Sequence, residues 1–150
     1  MGFLKKLFGQ ETDAVDYYDE GIDLLNAGKY HEALVSFRLA LRDSPSDAAV
    51  LQQIAITYTR IGMGDEAIRT YRKALAADPE ALGAHYGLAF LLLHAGQRDD
   101  AAEHLRAFLA VPPQGTDAQR HIDHARRTLS EIEAGGEFET NDDPAAGAIP

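Results

Sequence analysis

The sequence predicts an all-helical fold, a stack of antiparallel helix pairs, and three observations carry that reading. Three prolines, Pro45, Pro79 and Pro113, stand at a constant spacing of 34 residues, a period typical of solenoid repeats. Other columns keep the same step with no insertion: Gly28, Gly62 and Gly96; Ala33, Ala67 and Ala101; the small residues Gly21, Ala55 and Ala89; and the bulky Phe37, Tyr71 and Leu105. Apolar residues recur at steps of three and four, as in Leu51, Ile54, Ala55 and Tyr58 or Leu88, Ala89 and Leu92. That is the stripe of a helix and not the alternation of a strand. Agreement of several columns in three copies makes the unit that runs from Ala14 to Gly115 a structural period.

Taken in order, residues 1–13 form a short basic amphipathic segment. Phe3, Leu4, Leu7 and Phe8 share one helical face, Lys5 and Lys6 lie opposite, and Gly9 opens a polar join. Next come three units, 14–47, 48–81 and 82–115, each of two helices, expected at 14–27 and 30–43, 47–61 and 64–77, 81–95 and 98–110. The glycine column stops each first helix by accepting a left-handed backbone. Asp65, Asp99 and Asp100 favour the first turn of the second helix in their units, and the proline column ends that helix. Small residues at Gly21 and Ala33 and their equivalents let paired helices approach, and the Phe37 column fills the space beside them. Residues 116–134 read as a capping helix, with Thr116 and Gln119 as a capping box and Ile122, Ala125, Leu129 and Ile132 as its apolar stripe. Residues 135–150, with Glu137, Glu139, Asp142 and Asp143 among Gly, Pro and Ala, read as a disordered acidic tail.

Composition bounds the chemistry. At 150 residues with 45% hydrophobic and 25% charged side chains, the chain suits one packed domain. No apolar run approaches the roughly 18 to 20 residues that cross a bilayer, and the opening residues lack a secretory cleavage pattern. The expected location is cytoplasmic, with peripheral contact at the inner membrane face as a role for residues 1–9. The absence of cysteine excludes disulfides, thiolate metal sites and cysteine nucleophiles. Fourteen basic against twenty-four acidic residues give a formal charge of −10, which repels phosphate backbones and argues against nucleic acid as partner.

The columns resemble the tetratricopeptide repeat, a 34-residue antiparallel helix pair. The first unit supplies Tyr17, Gly21, Leu24, Gly28, Tyr30, Ala33, Phe37, Ala40 and Pro45 at the signature positions, and the second supplies Leu51, Ala55, Tyr58, Gly62, Ala67, Tyr71, Ala74 and Pro79. The third departs at His85, where a large apolar residue is usual, and at Phe108, where a small one is usual; Glu20 and Gly64 depart as well. Glu20 has no preceding repeat to pack against, and Phe108 suits a different neighbour, the capping helix. The resemblance implies a right-handed superhelical stack and a role in protein binding.

In the family, positions 2, 5, 9 and 12 of each first helix line a concave groove. Here they are Val15, Tyr18, Ile22 and Leu25; Ala49, Gln52, Ile56 and Thr59; and Gly83, Tyr86, Phe90 and Leu93, with Asn26, Arg60 and His94 as a polar rim. The competing reading is that the capping helix and a tightly wound stack bury much of this stripe. Some family members grip a partner's C-terminal carboxylate with Lys, Asn and Arg; this chain has Tyr18, Ile22, Gln53, Gly83 and Gly87 at those positions, so that clamp is absent.

No catalytic constellation emerges. Asp117, His121 and His124 share a helical face at metal-ligand spacing, yet the same spacing is common on solvated faces and no metal is expected. Gly62-Met63-Gly64 lacks the phosphate-binding lysine and full glycine fingerprint, and Ser36, Ser44, Ser46 and Ser130 lie in no nucleophile elbow. The expectation is a non-enzymatic adaptor or scaffold without cofactor that takes a partner peptide or helix in an apolar groove. Two alternatives stand beside it: a homo-oligomeric scaffold assembled through the N-terminal segment, and a small secretion-type chaperone.

Overall fold

The computed structural model describes residues 15–135, and among these it places seven α-helices and no strand. They are α1 (Tyr17–Asn26), α2 (Tyr30–Leu41), α3 (Ala48–Ile61), α4 (Gly64–Ala77), α5 (Leu82–His94), α6 (Arg98–Ala110) and α7 (Ala118–Glu133). Helices α1 and α2, α3 and α4, and α5 and α6 form the hairpins, each hairpin packs on the next, and α7 packs on α6. The N-terminal segment with Phe3, Leu4, Leu7 and Phe8 lies outside the described residues, as does the expected acidic tail beyond Gly135.

The glycine column sets the hairpin turns. Gly28, Gly62 and Gly96 take φ of 75°, 88° and 80°, where a side chain would be strained. This left-handed residue lets the next N–H reach back: Lys29 donates to the Leu24 carbonyl at 2.8 Å, Met63 to Tyr58 at 2.9 Å and Gln97 to Leu92 at 2.8 Å. The same Schellman closure therefore occurs three times, satisfying carbonyls that the helix ends would leave unpaired. At the opposite ends Asp16 and Asp47 cap α1 and α3 through their carboxylates, each accepting two backbone N–H groups. These caps start the two helices slightly later than the apolar pattern suggests.

The capping box is a correction. Helix α7 begins at Ala118, its N-cap residue Asp117 makes no side-chain cap bond, and Gln119 instead donates to Asp123 at 2.8 Å. Gly115, at φ 116°, turns the chain immediately before this start and keeps Thr116 out of the helix.

Packing obeys the column sizes. Ala33, Ala67 and Ala101 are wholly buried, and so are Phe37, Tyr71 and Leu105 beside them. The Phe37 ring lies so close to Gly21 that a Cβ there would fall 2.4 Å from it. Tyr71 reaches from α4 to the backbone of α5 at Gly87, where a Cβ would fall 2.4 Å from its hydroxyl. That hydroxyl sits beside Thr59 without a hydrogen bond of normal geometry, and burial pushes the phenol's pKa far up. The third unit closes differently: Phe108, Leu105 and Tyr86 form one cluster with Ile122 and Ala125 of α7. Phe108 thus meets the capping helix in place of the small residue of a regular repeat.

Candidate functional site

The inner-face positions fall on α1, α3 and α5, and the structure treats them unequally. On α1, Tyr18, Ile22 and Leu25 are half-buried, and Val15 just before the helix is 56% exposed. On α3, Gln52 is half-buried, whereas Ile56 and Thr59 are 3% and 4% exposed, with the Thr59 hydroxyl donating to the Ala55 carbonyl at 2.9 Å. Gln52 fills the space over Gly83, where a Cβ would fall 2.1 Å from its amide nitrogen.

A cleft remains at each end of the α1–α3 seam. At the C-terminal ends lies one of about 400 Å³, lined by Leu25, Asn26, Tyr30, Ile56 and Arg60 among others. Its floor is apolar, and Arg60, in the last turn of α3, makes no ion pair among the described residues. At the N-terminal ends lies one of about 610 Å³, with Val15, Tyr18, Leu39 and Val50 in its wall and Asp16, Asp43 and Asp47 around it. Between the two clefts the predicted stripe carries no charged side chain.

On α5 the expectation of exposed aromatic anchors is corrected. Tyr86 is 2% exposed, and its ring is enclosed by Phe90, Phe108, His121 and His124 at centroid distances of 4.8, 5.1, 5.1 and 6.2 Å. Its hydroxyl lies 2.8 Å from His124 Nδ1, and burial pushes its pKa up to about 12, against a partial lowering by Arg120. Phe90 stacks on His124 at 4.5 Å and 13°. The amphipathic stripe of α7 needs an apolar surface to cover, and the inner face of α5 provides it. Leu93 is half-buried, and His94 is exposed at the rim.

The histidines singled out for metal spacing have other roles. His121 Nδ1 lies 3.2 Å from the Asp117 carbonyl and His124 faces Tyr86; among the described residues no group of three or more His, Cys, Asp or Glu is placed to hold a metal. Arg69, Arg72 and Lys73 cluster on α4 and Arg120, Arg126 and Arg127 on α7, each with an acidic neighbour: Arg69 pairs with Glu66, and Arg126 lies 4.0 Å from Asp123. A further pair has no signature in the sequence: His85 Nδ1 and His104 Nδ1 lie 3.0 Å apart, and His85 Nε2 lies 2.7 Å from the Pro79 carbonyl. His85 Nε2 donates its proton to the Pro79 carbonyl, and one of the two Nδ1 atoms of the histidine pair donates to the other. Burial, then His85 and Arg72, hold the His104 pKa below its ordinary value. Among the described residues no helix is long and apolar enough to cross a membrane.

The tetratricopeptide repeat family model matches residues 62–122. No curated protein matches the sequence. Among solved structures, a type III secretion complex from Aeromonas hydrophila superposes with a TM-score of 0.74 at 19% identity, covering 91% of this chain and 91% of that one. The type III secretion chaperone SycD of Yersinia enterocolitica, solved with a peptide of the translocator YopD, gives 0.73 at 18% identity over 81% and 92%. The first such domain of human RPAP3 gives 0.65 at 17% over 79% and 93%. Helix pairs of constant period, three equivalent glycine closures, the family match and these superpositions agree: residues 62–122 match the tetratricopeptide repeat family, and the described residues have the fold of such repeats.

Proposed function

We propose that this chain is a non-catalytic adaptor that binds one segment of a partner protein along the seam of α1 and α3. The observation that carries the reading is the cleft of about 400 Å³ whose floor is Leu25 and Ile56 and whose rim is Asn26 and Arg60. An apolar floor with a few polar groups at its edge suits a side-chain anchor with a polar backbone around it. In this reading residues 14–47, 48–81 and 82–115 are the three repeats and 116–134 the cap, and the cap, by covering Tyr86 and Phe90, confines the groove to the first two repeats. The uncharged stripe and the net charge of −10 favour a protein partner over nucleic acid. A second reading, a small secretion-type chaperone, draws support from the likeness to SycD, which was solved with a translocator peptide.

Selection from a phage-displayed library of random dodecapeptides, with fluorescence titration of the enriched sequences, tests the proposal. Leu25→Asp and Arg60→Glu should each weaken binding about tenfold or more, as expected for residues central to an interface. Arg126→Ala on α7 should leave affinity unchanged. Urea unfolding of each variant separates lost binding from lost folding. Unchanged affinity in both groove variants, or an equal loss from Arg126→Ala, moves the site off this seam.

A further inference from the structure

The cleft at the N-terminal ends of α1 and α3 is not needed by the function proposed above, and its chemistry selects an occupant. Its apolar wall includes Val15, Tyr18, Leu39 and Val50, and Asp16, Asp43 and Asp47 surround it. Asp16 and Asp47 each use Oδ1 to cap a helix, so the positive ends of α1 and α3 offset part of their charge. Asp43 makes no ion pair among the described residues. The balance is an apolar slot with a negative edge, on a chain that is itself negative.

We propose that residues 3–8 of this same chain dock in that slot. Phe3, Leu4, Leu7 and Phe8 offer apolar side chains, and Lys5 and Lys6, between them in sequence, offer two cations on long flexible stems that reach round to the slot's edge. Such a segment matches both the wall and the edge. Connectivity favours it further, because Val15, which lines the slot, is only seven residues from Phe8. The intervening residues reach about 20 Å when extended, and Gly9 permits the chain to reverse. A tether this short holds the segment at an effective concentration on the order of millimolar. Docking also supplies a neighbour to the first repeat, in which α1 fully buries only Gly21.

Backbone amide spectra of the full chain, recorded for wild type and Leu7→Asp, provide the test. Leu7→Asp should move the amides of Val15, Tyr18, Ala49 and Val50 and leave those of α7 in place. Asp43→Lys should move the same cleft amides, and adding Lys5→Glu and Lys6→Glu to Asp43→Lys should return them toward wild type. Leu7 precedes the first repeat in the sequence, and urea unfolding of Leu7→Asp beside wild type separates lost docking from lost folding. Cleft amides indifferent to Leu7→Asp overturn the proposal, whether or not wild type sediments with vesicles of anionic phosphatidylglycerol. A concentration-dependent dimer that Leu7→Asp abolishes, seen by light scattering, overturns it in favour of a second copy as host. Peptide binding at Leu25 and Arg60 is measured separately, so either proposal can fail while the other stands.

Discussion

Ile56 of α3 and Phe90 of α5 occupy the same position in consecutive repeats; Ile56, itself buried, forms the floor of an open cleft, and Phe90, half-buried, stacks on His124. The two inner faces differ in the element stacked beyond each of them. Beyond α3 comes α5, a helix of the same kind, and the seam with α1 stays partly open. Beyond α5 comes α7, whose apolar stripe has no other surface to cover, and Ile122 and Ala125 close over Tyr86 and Phe108. An apolar position in a repeat therefore borders a cleft only where the neighbouring elements leave space beside it.

The strongest way to break this contrast is to loosen α7. Phe108→Ala removes a wholly buried ring from the α5–α6–α7 cluster and should cost about 3–5 kcal/mol. Urea unfolding monitored by near-ultraviolet signals of Tyr86 reads it, and an unchanged midpoint would show that α7 does not close this face. Ala67→Phe probes the helix pair beside the open seam. Ala67 is wholly buried, so overpacking should cost about 1–3 kcal/mol; a variant that melts like wild type would show that the α3–α4 contact is not close. Tyr86→Phe keeps the ring and removes the hydroxyl that meets His124, a loss of about 0.5–1.5 kcal/mol. Only the closed face should respond, which peptide titration of the open seam can confirm.

The smallest effect is with pH. The His104 pKa is lowered by burial and then by His85 and Arg72, while Asp100 and Glu103 oppose the shift. A lowered folded pKa means that the unfolded chain binds the proton first. Stability is then fully present above the ordinary histidine value of about 6.5 and declines as pH falls from there to the folded value. Wild type should lose more of its urea midpoint than His104→Gln between about pH 7.5 and about pH 5.5. Equal losses would remove the histidine pair as the cause.

The period made most of the fold legible. The helix boundaries of α4 and α6 match those expected from the repeat, and the Gly62 column and the buried Ala67 column do what their residue types require. The caps at Asp16 and Asp47 were hidden by the same period, because they stand 31 residues apart and fall out of register with the 34-residue columns. The candidate site was legible as a set of positions but not as a surface. Helical spacing gives the direction of Tyr86 and Phe90, whereas their burial depends on where α7 docks, a contact between elements whose register no local pattern records. His85 stood out as a misfit; that it is paired with His104, on the partner helix of its own hairpin, required the packing of α5 against α6.

Helix α1 has a single fully buried residue, and that residue, Gly21, has no side chain. Its hold on the stack comes through the Phe37 ring lying against its backbone and through half-buried Tyr18, Ile22 and Leu25. In a linear array each unit is stabilised only by its neighbours, so the free energy of local opening is lower at this end than in the interior helices, which have a neighbour on both sides. Amide hydrogens of α1 should consequently exchange well before those of α3 or α5. A ligand that bridges α1 to α3 then does more than occupy a cleft: it joins a loosely held helix to the cooperative unit, and the exchange rates of α1 become a gauge of occupancy.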